Sequence, residues 1–210
     1  MELQVYINGE YVDRSKATVS VFDHGFLYGD GVFEGIRIYN GRAFALREHV
    51  QRLFESARAI HLEIPMTREE VTEAIEECVA KNVAIDPGVN YIRPIVSRGV
   101  GTLGLNPFLC EGPSLFIVVD KLQMYPAEMY EAGIEIITAA TIRNHPAALN
   151  PRIKSLNYLN NILAKIEGHQ AGCMETLMLN HEGFVAECSA DNFFIVRNGR
   201  LHTPPTASGA

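Results

Sequence analysis

The sequence predicts an α+β chain organised as two domains, and three observations carry that expectation. Residues alternating with period two around Asn-Gly pairs give antiparallel hairpins, apolar residues at helical spacing follow them, and a polar, proline-containing stretch precedes a second set of elements. Residues 3–12 alternate around Asn8-Gly9, a pair that supplies the positive φ angles of a tight hairpin turn. Residues 32–39 alternate as well, turn at Asn40-Gly41 and return through residues 43–45. Val50, Leu53, Phe54, Ala57 and Ile60 then repeat at helical spacing, and Thr67 with Glu70 forms a capping box for a helix running to about Asn82. Strands are predicted at 91–96 and 115–119, and 121–126 reads as a linker. The boundaries predicted are 1–120 for a small α+β domain, 121–128 for the linker and 129–210 for the start of a larger domain. In that last part the sequence predicts a strand over 134–140, a loop with two X-Pro pairs, a helix from about Ser155 to His169, and short strands at 177–179 and 192–196.

The chain has 210 residues, with 25 acidic and 18 basic side chains and a net charge of −7. It therefore lacks the basic footprint that attracts nucleic acid or an anionic membrane surface, which points to small-molecule chemistry. No stretch approaches the ~20 apolar residues of a spanning helix, and the first 20 residues lack the apolar core of a signal segment, so a cytoplasmic protein is expected. Cys78, Cys110, Cys173 and Cys188 lie far apart with no Cys-x-x-Cys pair and no histidine at ligand spacing. Neither a disulfide framework nor a zinc site is predicted, and buried free thiols are expected.

Four patterns are candidates for chemistry. Gly99-Val100-Gly101-Thr102-Leu103-Gly104 has the glycine spacing of a dinucleotide-binding turn, but it leads into Leu105-Asn106-Pro107 instead of a helix, so a glycine-rich surface loop is predicted. Alternation over 32–39 puts Phe33, Gly35, Arg37 and Tyr39 on one face, and the same rule puts Tyr91 and Arg93 together on the later strand. Two arginines beside aromatic surface could pair carboxylates bidentately in an apolar pocket, or could merely snorkel at sheet edges. Lys154 stands where a proline-rich loop meets a helix, with Tyr158 one helical turn on; such a lysine is either solvated or held and partly desolvated as a nucleophile. Glu187 closes a short strand, where most glutamates are exposed.

Three segments taken together resemble the fold-type-IV pyridoxal-phosphate enzymes, most closely the branched-chain amino acid aminotransferases. They are Tyr28-Gly29-Asp30-Gly31-Val32-Phe33-Glu34-Gly35-Ile36-Arg37, then Tyr91-Ile92-Arg93-Pro94 with its glycine loop, then Lys154-Ser155-Leu156-Asn157-Tyr158-Leu159 followed by Glu187 and Asn192. The resemblance implies a two-domain enzyme using pyridoxal 5′-phosphate, with Lys154 as the Schiff-base lysine and proton shuttle. It implies that Glu187 pairs with the pyridine nitrogen, that Tyr158 bonds the phenolic oxygen, and that Arg52, which falls off the apolar stripe of its helix, contacts the phosphate. It assigns Phe33, Tyr28 and Gly35 to the apolar side-chain pocket, and Tyr91, Arg93 and Arg37 to carboxylate recognition. Leu103 and Leu105 are similar to the family segment that enters the neighbouring subunit's pocket, which implies a homodimer or an assembly of dimers.

The implied reaction is transamination of leucine, isoleucine or valine with 2-oxoglutarate. D-amino acid aminotransferase and aminodeoxychorismate lyase share the lysine and glutamate, and a non-catalytic binding module is a further alternative. The family continues past the position of Ala210 into a turn whose backbone N–H groups hold the phosphate and a loop that meets the substrate carboxylate. The 210 residues are therefore expected to be part of a longer enzyme.

Overall fold

A computed structural model describes residues 1–123 and 125–210. Met124, inside the expected linker, lies outside the described residues. The chain divides into two compact units, Met1–Gln123 with Lys154–Asn157 and Met124–Ile153 with Tyr158–Ala210.

Among the described residues, seven strands of the first unit form one antiparallel sheet: β1 (Gln4–Ile7), β2 (Glu10–Asp13), β3 (Gly31–Phe33), β4 (Ile36–Tyr39), β5 (Arg42–Ala43), β6 (Tyr91–Ser97) and β7 (Ser114–Asp120). Their spatial order is β2-β1-β7-β6-β4-β5, with β3 also on β6. Both Asn-Gly turns form as predicted, with φ of 49° and 98° at Asn8 and Gly9 and of 51° and 74° at Asn40 and Gly41. The strand predicted over 32–39 is instead two strands in one register, since Phe33 faces Ile95 and Ile36 faces Ile92. Between them Glu34 lies opposite Pro94, whose carbonyl accepts from the Glu34 amide at 2.9 Å but which has no N–H to return.

A short helix α1 (His24–Tyr28), not predicted, precedes β3; Asp23 caps it by accepting from the Gly25 amide. Two long helices, α2 (Leu46–Ala59) and α3 (Arg68–Ile85), cover one face of the sheet. The predicted capping box is present at Thr67 and Glu70, and α3 runs three residues past the predicted end at Asn82. Leu53, Val71 and Ile75 pack with Ile36, Ile92 and Ile117 in one buried cluster, so the inward stripe of each helix meets the even-numbered residues of β3 and β4. Phe33, Arg37, Tyr91 and Arg93 are left on the other face.

In the second unit the sheet order is β10 (Val185–Cys188), β9 (Glu175–Leu179), β8 (Ile136–Thr138), with β8 parallel and β10 antiparallel to β9. A helix α4 (Ala127–Ala132) occupies sequence expected to finish the linker and begin the next domain. Helix α5 (Leu159–Gln170) starts later than predicted, because Lys154–Asn157 bond across to β3 instead: the Phe33 amide donates to the Lys154 carbonyl at 3.0 Å and the Leu156 amide to the Gly31 carbonyl at 2.9 Å, with an isolated bridge between Val32 and Ser155. Tyr158 stands at the N-cap position of α5, with Lys154 ahead of the helix, so the helical-turn relation expected between Lys154 and Tyr158 does not hold. Likewise 129–210 is not a single unit, since the Lys154 segment belongs with residues 1–123. The last predicted strand is shifted to β11 (Ile195–Arg197), paired with β12 (Arg200–His202). Among the described residues no helix is long and apolar enough to cross a membrane. The four cysteines are free, Cys78 and Cys188 buried and Cys110 and Cys173 only half-buried.

Candidate active site

Continuing the β3–β6 register through Gly35 sets it opposite Arg93, and Arg37 opposite Tyr91. Side chains facing each other across an antiparallel pair share one side of the sheet, so Phe33, Gly35, Arg37, Tyr91 and Arg93 form a patch. The Arg93 guanidinium lies 4.5 Å from the centre of the Phe33 ring and 5.3 Å from that of Tyr91, and its Nη2 donates to the Tyr91 hydroxyl at 2.8 Å. Gly35 makes the room for that hydroxyl: a Cβ there would stand 2.2 Å from the Tyr91 oxygen. Arg37 Nη1 donates to the Leu122 carbonyl at 3.3 Å, which turns this arginine toward residues 120–122 and away from Arg93.

Lys154 belongs to the same patch. Its backbone is held on both sides, the amide donating to Ser56 Oγ at 3.2 Å and the carbonyl accepting from Phe33, and Val32 bridges to Ser155. Its Nζ lies 4.8 Å from the centre of the Phe33 ring. A cation within about 6 Å of a ring face is attracted by the ring quadrupole, so Phe33 meets two cations. Gly31 permits the strand contact, for a Cβ there would come within 2.6 Å of both Leu156 Cδ1 and the Val96 carbonyl.

Arg52 forms a two-pronged ion pair with Glu34, Nε to Oε1 and Nη2 to Oε2, each at 2.6 Å; His49 Nδ1 lies 2.9 Å from Oε2. Glu34 is fully buried. Burial pushes its carboxyl up, but the hydrogen bonds and charges of Arg52 and His49 outweigh it and the net shift is downward. Neither Glu34 nor His49 was a candidate from sequence, since each reads locally as an ordinary surface polar residue.

Tyr28 is at the edge of the glycine loop, its hydroxyl accepting from the Gly104 amide at 3.0 Å. Buried His24 stacks edge-on against Tyr28 and, through Nε2, bonds the Thr102 carbonyl at 2.9 Å; a carbonyl only accepts, so Nε2 carries the hydrogen. Leu103 and Leu105 project from this loop, 72% and 81% exposed. The loop opens no α-helix, only a single 3-10 turn over Pro107–Leu109 that Asn106 caps by accepting from the Phe108 amide, in keeping with the surface loop predicted.

Tyr158 and Glu187 lie in the second unit. Arg143 Nη2 pairs with Glu187 Oε1 at 2.7 Å; the same buried guanidinium donates to Asn161 Oδ1 at 2.5 Å and to the Gly209 carbonyl at 3.0 Å. Arg143 and Asn161 were not found from sequence, because Arg143 meets Glu187, and Asn161 meets Arg143, only through contacts between residues distant along the chain. A cavity of about 450 Å³ lined by Phe54, Arg58, Leu62 and Arg68 contains none of the expected site residues. Among the described residues no group of three His, Cys, Asp or Glu is placed to hold a metal.

The model of the amino-transferase class IV family matches residues 31–210. The chain belongs to this family. A Methanocaldococcus jannaschii protein provisionally named a branched-chain-amino-acid aminotransferase is 48% identical over 203 residues, covering 97% of this chain and 68% of that relative. A D-alanine aminotransferase of Listeria monocytogenes is 37% identical over 203 residues, 96% of this chain and 68% of the relative. The chain spans only 36% of a branched-chain-amino-acid aminotransferase-like protein of Arabidopsis thaliana. Among solved class IV structures, Escherichia coli branched-chain amino acid aminotransferase matches with a TM-score of 0.93 and 32% identity over 100% of this chain and 70% of that one. The branched-chain amino acid aminotransferase of Thermoproteus uzoniensis, solved with norvaline, matches with a TM-score of 0.87 and 34% identity, covering 100% and 70%. A further branched-chain enzyme, solved with pyridoxamine 5′-phosphate, matches with a TM-score of 0.87 and 36% identity, covering 97% and 68%. The α+β class and the branched-chain-like aminotransferase family thus agree with the reading of the sequence.

Proposed function

We propose that this chain is the part of a pyridoxal-phosphate transaminase that carries the cofactor lysine and much of the substrate pocket, acting on leucine, isoleucine and valine with 2-oxoglutarate as acceptor. The observation that carries the reading is the patch on which Lys154 Nζ and the Arg93 guanidinium stand over one Phe33 ring.

The donor set fits the cofactor. The first unit offers an amine for an aldehyde and, at Arg52, a guanidinium for a phosphate; the second offers a carboxylate, Glu187, suited to a protonated pyridine nitrogen. When bound, the cofactor supplies an electron-accepting ring joined to the substrate nitrogen. Lys154, fixed at its backbone by Ser56 and Phe33, would be the base that takes the proton from the substrate Cα. Glu187 would hold the proton at the ring nitrogen, and the ion pair with Arg143 orients that carboxylate. Tyr158 would donate to the phenolic oxygen.

Arg93 and Tyr91 take the substrate carboxylate, with Arg37 on the same face. Phe33 and Tyr28 wall the apolar side-chain pocket. Leu103 and Leu105, exposed on a loop braced by α1, reach the pocket of a second copy, which makes the working form a homodimer or an assembly of dimers.

A panel of L-leucine, D-alanine and aminodeoxychorismate separates the readings. Turnover of L-leucine with 2-oxoglutarate is expected; turnover of D-alanine alone favours the reading suggested by the Listeria relative and overturns this one.

A further inference from the structure

Glu34 is the most completely buried carboxylate near Lys154, and the transamination reading gives it no task. Its partners come from a single stripe of α2: His49, Arg52 and Ser56, spaced by three and four residues, share one face of the helix. The first two bond the Glu34 carboxylate and the third bonds the Lys154 amide. Glu34 follows Phe33, whose amide holds the Lys154 carbonyl. One helix face and one strand therefore fix the arginine and the lysine against the same short piece of backbone.

The two ends of the ion pair differ in exposure. The Glu34 side chain is 0% exposed and that of Arg52 is 51% exposed. The carboxylate is the anchored end and the guanidinium the end that reaches solvent. Its Nε and Nη2 edge is occupied by Glu34, which fixes the plane of the group, and His49 fixes the carboxylate in turn. An arginine side chain gives up rotamer freedom when it is immobilised. Bound in this way, Arg52 has lost that freedom before any ligand arrives.

We propose that Glu34, held by His49, is a positioning residue that sets Arg52 for a phosphorylated ligand and so raises selectivity for pyridoxal phosphate over pyridoxal. This rests on the reading of Arg52 as the phosphate contact. Charge alone predicts the opposite sign: an anion beside Arg52 repels phosphate, and removing it would tighten binding. Orientation outweighs repulsion here because Glu34 is already neutralised by Arg52, while the amide of a glutamine would face the guanidinium with an N–H and could accept at only one atom.

The test measures equilibrium binding of pyridoxal phosphate and of pyridoxal, by visible absorbance, to wild type, Glu34→Gln, Arg52→Gln, the double variant and His49→Ala. Glu34→Gln is expected to weaken the phosphorylated compound by roughly tenfold, the scale of one charged hydrogen bond, and to leave pyridoxal unchanged. The double variant should match Arg52→Gln, since Glu34 acts through Arg52. His49→Ala keeps the ion pair, guards against a Glu34 variant that fails to fold, and should show a smaller loss of the same selective kind. Equal weakening of both compounds, unchanged or tighter binding of the phosphate, or additive losses would overturn the inference. Wild-type protein that takes up neither compound would overturn the cofactor reading, and the inference with it.

Discussion

The Nζ of Lys154 lies 4.8 Å from the centre of the Phe33 ring, while the Phe33 amide donates to the Lys154 carbonyl. Both ends of the lysine are thus referred to one residue of β3, and what disturbs β3 disturbs the lysine.

Gly31 tests that dependence. In Gly31→Ala the new Cβ meets the Val96 carbonyl and Leu156 at 2.6 Å, and the backbone contact cannot be relieved by a side-chain rotation. The Lys154 segment should lift from β3. Hydrogen exchange at the Leu156 amide should rise by about tenfold or more while amides of β7 stay protected. Unchanged protection at Leu156 would contradict the docking of this segment.

Gly35→Ala acts on the neighbouring contact. Its Cβ would sit 2.2 Å from the Tyr91 hydroxyl and break the Arg93–Tyr91 bond. A hydrogen bond to a charged group contributes about 1.5 kcal/mol, so KM for L-leucine should rise roughly tenfold with kcat less affected. Adding Tyr91→Phe removes the clashing oxygen and should restore stability but not KM. A single variant with normal KM would remove Tyr91 from carboxylate recognition.

Much of this patch was legible in the sequence, and the reasons are local. Alternation found Phe33, Gly35 and Arg37 on one face, and Asn8-Gly9 and the Thr67 capping box fixed the first hairpin and the start of α3. The break at Glu34 was hidden because Pro94, which causes it, is distant in sequence and on another strand. The bridge from Lys154–Asn157 to β3 was hidden for the same reason, since its partner is distant in sequence and its own composition resembles a helix start. Glu34, His49 and Arg143 escaped notice because ion pairs between distant elements leave no periodic signal.

Arg143 is the second unit's counterpart of Glu34. Arg143→Ala removes the cation from a largely buried pair with Glu187 and should cost about 3 kcal/mol of stability. Arg143→Lys keeps the charge but loses the fork that also serves Asn161 and Gly209, and its stability should fall between those of wild type and Arg143→Ala. Urea unfolding monitored by circular dichroism measures both, and an Arg143→Ala protein as stable as wild type would contradict the pairing.

Glu175 gives a pH dependence. Burial pushes its carboxyl up, but hydrogen bonds from Ser189 and the Thr176 amide, with the Lys165 charge, bring it below its ordinary value of 4.5. A carboxylate lowered by folding adds stability above pH 4.5, and that stability is lost as pH falls from 4.5 through the folded value. Urea midpoints taken from about pH 7 down to about pH 3 should therefore drop more steeply below the ordinary carboxyl value in wild type than in Glu175→Gln. Parallel curves would show that Glu175 has no such role.

The central claim, that Lys154 is the lysine that holds the cofactor, is tested most directly by covalent trapping. The protein is mixed with pyridoxal phosphate, reduced with borohydride, digested and mapped by mass spectrometry. The account predicts one modified site, Lys154, formed at near-stoichiometric pyridoxal phosphate and absent in Lys154→Ala. Label spread over Lys16, Lys81, Lys121 and Lys165 with none on Lys154 would contradict it.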